Sequence, residues 1–124
     1  MSPPHPWLSV LVPFYRVEPY LRECVESVLA QVDGGVEIVL LDDASPDNCA
    51  TIARDLRKAH GDVIRLLGHD RNRGLSAARN TLMADARGDY VWFLDSDDVL
   101  LPGAIAAVRD AVSMHAPDLV LCDF

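Results

Sequence analysis

The feature that most constrains this chain is the regular alternation of short apolar runs with amphipathic stretches. Leu8 to Val12 is an apolar run that reads as a strand stopped by Pro13. Pro19 then stands where a first helical turn tolerates proline, and Leu21, Cys24, Val25, Val28 and Leu29 follow at helical spacing through about Gln31. Asp33-Gly-Gly35 reads as a turn. Val36 to Leu41 is almost wholly apolar, as a strand covered on both faces should be. The pattern repeats with a helix capped by Ser45-Pro46 and ended by Gly61, a strand over Val63–Leu67, and an alanine-rich helix over about Ser76–Ala86 closed by Gly88. A strand over Tyr90–Leu94, a helix opened by Pro102 and running to about Met114, and a fifth strand over Leu119–Leu121 complete the series.

Strict alternation of this kind predicts an α/β fold, a mainly parallel sheet with helices on both faces. In such sheets ligands bind beyond the carboxyl ends of the strands. The residues to inspect are therefore those after Val12, Leu41, Leu67 and Leu94.

Asp42-Asp43 follows the second strand, and Asp95-Ser96-Asp97-Asp98 follows the fourth. So many carboxylates at neighbouring strand tips cannot all stay ionised without a cation or steep pKa shifts. Hard oxygen donors suit Mn2+ or Mg2+, ions commonly shared with substrate phosphates. Alternation along extended backbone puts Asp95 and Asp97 on one side and Ser96 on the other. Asp33 and Asp47 read instead as turn and helix-capping residues. No GxGxxG or GxxxxGK[ST] glycine motif is present, so a metal would have to carry much of any phosphate charge. Arg71, Arg73 and Arg79 cluster after the third strand as cationic candidates, with Arg79 the best placed because it stands among small residues on a helix.

Composition narrows the partners. The 124 residues are 50% hydrophobic, which excludes disorder, and the net charge of −8 argues against nucleic acid or an anionic membrane surface. Ten of the eleven basic residues are arginine; the exception is Lys58. No apolar run approaches membrane-spanning length and no signal peptide is visible, so a cytoplasmic domain is expected. Cys24, Cys49 and Cys122 form no CxxC pair and read as buried thiols. His5, His60, His69 and His115 show no metal-ligand spacing, and His60 and His115 fall near predicted helix ends.

Four segments, Ser9-Val-Leu-Val-Pro-Phe-Tyr15, Val39-Leu-Leu-Asp-Asp-Ala-Ser-Pro-Asp47, Asn72-Arg-Gly-Leu-Ser-Ala-Ala-Arg-Asn80 and Phe93-Leu-Asp-Ser-Asp-Asp98, occur in the order and spacing of family 2 glycosyltransferases, and Leu101-Pro102 fits as well. The chain resembles that family from about Leu8 onward. The resemblance implies a GT-A fold of the Rossmann-like nucleotide-diphospho-sugar transferase type, and inverting transfer of a sugar from a nucleotide donor, a UDP-sugar first among the choices, to a glycan or lipid-linked acceptor. It implies that Pro13 and Tyr15 border the base, that Asp43 bonds it with support from Asp42, and that Gly74 to Asn80, including Arg79, line the nucleotide pocket. Asp95 and Ser96 would lie by the ribose, with Asp97 and Asp95 at the Mn2+ or Mg2+ site. The opening and the Asp-Asp-Ala-Ser-Pro-Asp turn are similar to those of bacterial cell-envelope transferases.

The pattern is not matched everywhere. The family often has Asn at position 16, Gly at 44 and Gly at 81, where this chain has Arg16, Ala44 and Thr81. Arg16 is expected to alter the mouth of the site. The family's general base is expected beyond Phe124, which makes residues 8–124 the donor-binding half of a transferase, preceded by an arm over 1–7. Such a half would bind donor without completing transfer and would self-associate through the apolar surface left open.

Three other readings compete. Val91 to Leu100 also fits the strand-DxDx[TV] motif of haloacid-dehalogenase-type phosphatases, with Asp95 as nucleophile and Asp97 as acid/base. That chemistry needs a downstream lysine, whereas Lys58 lies upstream. A receiver-like signalling domain built on Asp42 and Asp43 lacks its lysine too. A non-catalytic nucleotide-binding module differs from the donor-binding half only in what the parent protein does.

Overall fold

The structure is a computed structural model and describes residues 5–115. Its elements are β1 (Leu8–Phe14), α1 (Glu18–Leu29), β2 (Val36–Asp42), α2 (Cys49–His60), a short 3-10 turn (Gly61–Val63), β3 (Ile64–Gly68), α3 (Leu75–Asp85), β4 (Tyr90–Phe93) and α4 (Ala104–His115). The strands form one parallel sheet in the order β3-β2-β1-β4. The fifth strand expected over 119–121 and Cys122 lie outside the described residues, as do residues 1–4 of the expected arm.

Residue parity along the strands builds two apolar layers. Leu8, Val10, Val12 and Phe14 of β1, with Ile38 and Leu40 of β2, meet Leu21, Cys24, Val25 and Val28 of α1, Ala53 and Leu56 of α2, and Ile105 and Val108 of α4. The opposite face is thinner: Leu11, Val39 and Leu41 pack on Ala78 and Leu82 of α3. Helices thus cover both faces, as the alternation predicted.

The order of the strands follows from these faces. The chain moves outward from β1 to β3 with α1 and α2 on one face, then returns under α3 on the other to place β4 on the far side of β1. Keeping every crossover right-handed requires that change of face when the direction of travel reverses. The reversal makes the carboxyl ends of β1 and β4 the point where a crevice opens.

Several boundaries differ from those read in the sequence. β1 does not stop at Pro13 but runs through it, pairing Pro13 with Leu41 and Phe14 with Asp42. Leu11 accepts the Leu94 N–H on the β4 side, and Pro13, in the same phase, faces that side after β4 has ended, so no ladder bond is missed. α2 begins at Cys49 rather than at Ser45-Pro46. The Ser45 N–H is taken by Asp42 Oδ1 (2.7 Å) and its hydroxyl by the Arg16 N–H (3.2 Å), so that turn serves the loop between strand and helix. β4 ends at Phe93, one residue before Leu94. Gly88 does not close α3, which caps at Ala86; a Cβ at Gly88 would lie 2.7 Å from the Ser9 nitrogen, so glycine is needed for close approach to β1.

A polar network ties the amino ends of the strands together on the α3 face. Glu37, 4% exposed, accepts from the Ser9 hydroxyl (2.5 Å), the Arg87 N–H (2.9 Å) and the Arg65 guanidinium. Arg65 also binds the Asp85 carboxylate and donates to the Asp85 carbonyl at 2.8 Å, while Gly88 N–H reaches Ser9 Oγ at 2.8 Å. A buried charge is tolerable only with partners of this kind. No helix among the described residues is long and apolar enough to cross a membrane.

Candidate nucleotide cleft

Four loops meet at the carboxyl ends of the strands, and each is held by bonds the sequence can supply. After β1, Tyr15 to Glu18 runs beside the loop after β2. Val17 N–H reaches Cys49 Sγ (3.3 Å), and Asp47 accepts from Glu18 N–H (3.3 Å) and Cys49 N–H (3.2 Å), serving the first turns of α1 and α2 at once. The Glu18 carboxylate in turn accepts from Asn48 N–H at 2.7 Å. Burial alone would raise the Asp47 pKa, but these hydrogen bonds hold its carboxyl below the usual range. The capping role expected of Asp47 is what the structure gives it, across two helices.

Arg16 and Ala44 have φ values of 55° and 61°, a left-handed conformation that favours glycine and asparagine. These are two of the positions where the sequence departs from the family pattern, and the residue types expected there, Asn and Gly, suit that backbone better.

The loop after β3 is organised by Asp43. It is 4% exposed, and its carboxylate accepts from His69 Nδ1 (2.8 Å), Arg73 N–H (2.9 Å) and Gly74 N–H (2.9 Å). Burial pushes its pKa up, yet the hydrogen bonds from His69, Arg73 and Gly74 outweigh it and hold the carboxyl below the ordinary value. Gly74, at φ 91° and ψ 167°, occupies backbone space open to glycine alone.

The loop after β4 is clamped from α1 and the turn that follows it. Ser27 Oγ accepts the Leu100 N–H (2.8 Å), and Gln31 donates to the Leu101 carbonyl (2.7 Å) while accepting from Ile105 N–H (3.1 Å). Cys24 Sγ donates to the Asp95 carbonyl at 3.6 Å; burial, then the charges of Asp98, Asp97 and Asp95, push that thiol up to about 12. Cys24 and Cys49 are buried free thiols, as expected.

Between these loops lies a cleft of about 480 Å³. Of the residues singled out in the sequence, Pro13, Tyr15, Asp43, Gly74, Asp95, Ser96 and Asp97 line it. Two others do not. Asp42 turns its carboxylate to Ser45 N–H at 2.7 Å. Arg79 stands beside the cleft with its guanidinium 3.8 Å from Asp95 Oδ1 and over the Phe93 ring at 5.8 Å. Arg71 and Arg73 are exposed, and what Arg73 gives Asp43 is its backbone N–H.

Asp95, Asp97 and Asp98 are exposed and bring one carboxylate oxygen each to within 4.8 Å of one another, while Ser96 between them is buried. Clustered hard oxygens open to solvent fit a divalent cation that keeps waters and phosphate oxygens as its other ligands. His69 and Gln31 were not singled out in the sequence. His69 sits in a polar loop and its partners are 26 and 12 residues away, so only its position directly after a strand hinted at a role.

The sequence profile of the glycosyl transferase family 2 matches residues 9–124. The chain belongs to glycosyl transferase family 2. Uncharacterized glycosyltransferase EpsJ of Bacillus subtilis is 39% identical over 119 residues, 96% of this chain and 34% of the relative. GgaB of the same organism, a minor teichoic acid biosynthesis protein, is 33% identical over 113 residues, 90% of this chain and 12% of the relative. The crystal structure of S. aureus TarS 1–349 with UDP-GlcNAc superposes at a TM-score of 0.80 and 26% identity, covering 94% of this chain and 32% of that one. The mannosyltransferase PcManGT of Pyrobaculum calidifontis, in complex with GDP-Man and Mn2+, gives 0.79 and 27%, covering 94% and 34%. The chain thus spans about a third or less of the length of these relatives. Family 2 membership sets aside the phosphatase and receiver readings of the same aspartates, and the fold is the GT-A type expected.

Proposed function

We propose that this chain forms the nucleotide-sugar donor site of a metal-dependent, inverting glycosyltransferase of cell-envelope polysaccharide synthesis, acting in the cytoplasm on a glycan or lipid-linked acceptor. The observation that carries the reading is the cleft that brings Pro13, Tyr15 and Asp43 opposite Asp95 and Asp97 at the reversal of strand order. The relatives support it: TarS takes UDP-GlcNAc, PcManGT takes GDP-Man with Mn2+, and GgaB serves teichoic acid synthesis.

In this reading Pro13 and Tyr15 border the base, and Asp43 offers it the remaining acceptor capacity of a carboxylate already fixed by the loop. Asp97, with Asp95, would hold Mn2+ or Mg2+, which when bound supplies Lewis-acid stabilisation of the leaving diphosphate. Asp98 adjoins that pair. Arg79, beside Asp95, adds positive charge at the same edge. In-line displacement also requires a base behind the anomeric carbon, on the side away from Asp97. We assign that base to sequence beyond Phe124, so the chain by itself binds donor without transferring sugar. Leu75, Met83 and Val91 are exposed. Self-association of the isolated chain through exposed apolar residues such as these is read directly by light scattering over a concentration series.

Calorimetric titration with UDP, CDP and GDP, each with Mn2+ and with chelator, tests the donor site. Metal-dependent binding of one nucleotide, strongest for UDP and lost in Asp97→Ala, is expected. Binding unchanged by chelator and by the substitution overturns the metal assignment, and sugar transfer by the chain alone overturns the donor-only role.

A further inference from the structure

His69 is a buried, hydrogen-bonded imidazole next to the cleft that the donor reading leaves without a task. Its side chain and that of Asp43 are each 6% exposed. Nδ1 lies 2.8 Å from Asp43 Oδ1, and Nε2 lies 2.9 Å from Thr81 Oγ1. An ionised carboxylate only accepts, so Nδ1 carries a proton. Thr81 has one hydroxyl proton and two acceptors within reach, His69 Nε2 and the Ala77 carbonyl at 3.1 Å. Whichever it chooses, the Nδ1–H to Asp43 bond is the same.

Threonine, histidine and aspartate in this order also build nucleophilic triads. Here the imidazole is only 6% exposed and held between Asp43 and Thr81, and neither His69 nor Thr81 lines the cleft, so the row acts on position. What it positions is Asp43, and through Asp43 the backbone of Arg73 and Gly74. The Asp43 carbonyl takes the Asn72 side-chain amide as well, at 3.2 Å. Asn72, Gly74, Leu75 and Ala78 all line the cleft. Thr81, which stands where the family often has glycine, gives His69 a second anchor on α3, so the ring is braced from both sides.

We propose that His69 is a positioning residue. Braced by Thr81, it fixes the Asp43 carboxylate so that the 72–75 wall is formed before a ligand arrives, and the preformed wall sets how tightly the cleft takes a nucleoside diphosphate. The second half of this proposal rests on the donor-site reading above. The first half does not.

Three variants of the 124-residue chain test it: His69→Asn, which keeps a donor in the place of Nδ1; His69→Leu, which keeps neither bond; and Thr81→Val, which removes the hydroxyl. Amide hydrogen exchange at Arg73 and Gly74 is followed without nucleotide, with core amides of β2 as the reference for global stability. Exchange at the two loop amides is expected to rise about tenfold in His69→Leu, to stay within about threefold of the parent in His69→Asn, and to fall between them in Thr81→Val. Affinity for UDP with Mn2+ should weaken in the same order. Unchanged loop exchange in His69→Leu, or His69→Asn exchanging as fast as His69→Leu, overturns the proposal. So does faster exchange with unaltered nucleotide affinity. If His69→Leu does not fold, Thr81→Val decides, since a rise at Arg73 and Gly74 alone supports the brace and no rise overturns it. A parent protein that takes no nucleotide sinks the donor-site reading, while the exchange order still decides the role of His69.

Discussion

Gln31 and Leu101 stand 70 residues apart in sequence, and the Gln31 amide donates to the Leu101 carbonyl at 2.7 Å. The same side chain accepts from Ile105 N–H in the first turn of α4. One residue of the turn that follows α1 thus fixes where the acidic loop ends and where the next helix begins.

Gln31→Leu removes these bonds, together with longer ones to the Ser27 and Leu100 carbonyls, and leaves the Ile105 N–H without its side-chain partner, while the Leu101 carbonyl keeps the Ala104 N–H. The expected loss is about 1–2 kcal/mol in urea unfolding. Because the released segment follows Asp95 and Asp97 directly, Mn2+-dependent nucleotide binding should weaken too. A variant of unaltered stability and affinity would mean the clamp is ornamental.

Acid should destabilise the fold through Asp43 and Asp47. Both carboxyls are held below their ordinary value in the folded chain, so the unfolded state binds protons first as pH falls. Their contribution is fully present above the unfolded pKa, about 3.9, and drains away as pH falls through the folded values. Urea midpoints should therefore be flat through pH 7 to 5 as far as these two groups are concerned, then drop. Asp43→Asn should flatten the drop.

Backbone conformation sets a third expectation. Ala44→Gly relieves a left-handed alanine and should stabilise by about 0.5–1 kcal/mol, the gain being reduced by the added freedom of glycine in the unfolded chain. Gly74→Ala should do the reverse by about 1–3 kcal/mol. It should also weaken nucleotide binding, because the Gly74 N–H could no longer meet Asp43 at its present place. Thermal melts and the same titrations distinguish the two.

Cys49 should be inert to alkylation in the folded protein. Burial, followed by its contact with Asp47, pushes the thiol up to about 12, and the thiolate is the reactive form. At pH 8 the peptide carrying Cys49 should stay unmodified by iodoacetamide until denaturant is added. Rapid native labelling would show that the 44–49 loop opens readily.

Much of this architecture was legible in the alternation of apolar runs, because parallel strands buried on both faces and the helices between them leave a strong periodic record. The acidic strand ends were legible for the same reason: position after a strand names the crevice. What escaped was tertiary. Pro13 lies within a strand because its neighbour β4 is short, a fact that belongs to another part of the chain. The Ser45-Pro46 signal for a helix start gave way to Asp47, which bridges two helices that the sequence does not place side by side. Glu37 sits within an apolar run, and nothing near it announces Arg65 as its partner. Gln31 and His69 act through contacts far along the chain, so local spacing could only mark them as polar residues near turns.

The Glu37–Arg65 network and the cleft occupy opposite poles of one sheet, about the length of β1 apart, and they answer to different demands. The amino pole is welded by charge, and substitution there would unsettle β1, β2 and β3. At the carboxyl pole the walls are loops tied to one another, with Tyr15 and Leu75 facing outward. Mutational searches for altered donor preference can therefore be confined to the loops after the carboxyl ends of β1, β2, β3 and β4. Libraries that leave Ser9, Glu37, Arg65 and Gly88 untouched should keep a high proportion of folded members while the chemistry at the other end is rewritten.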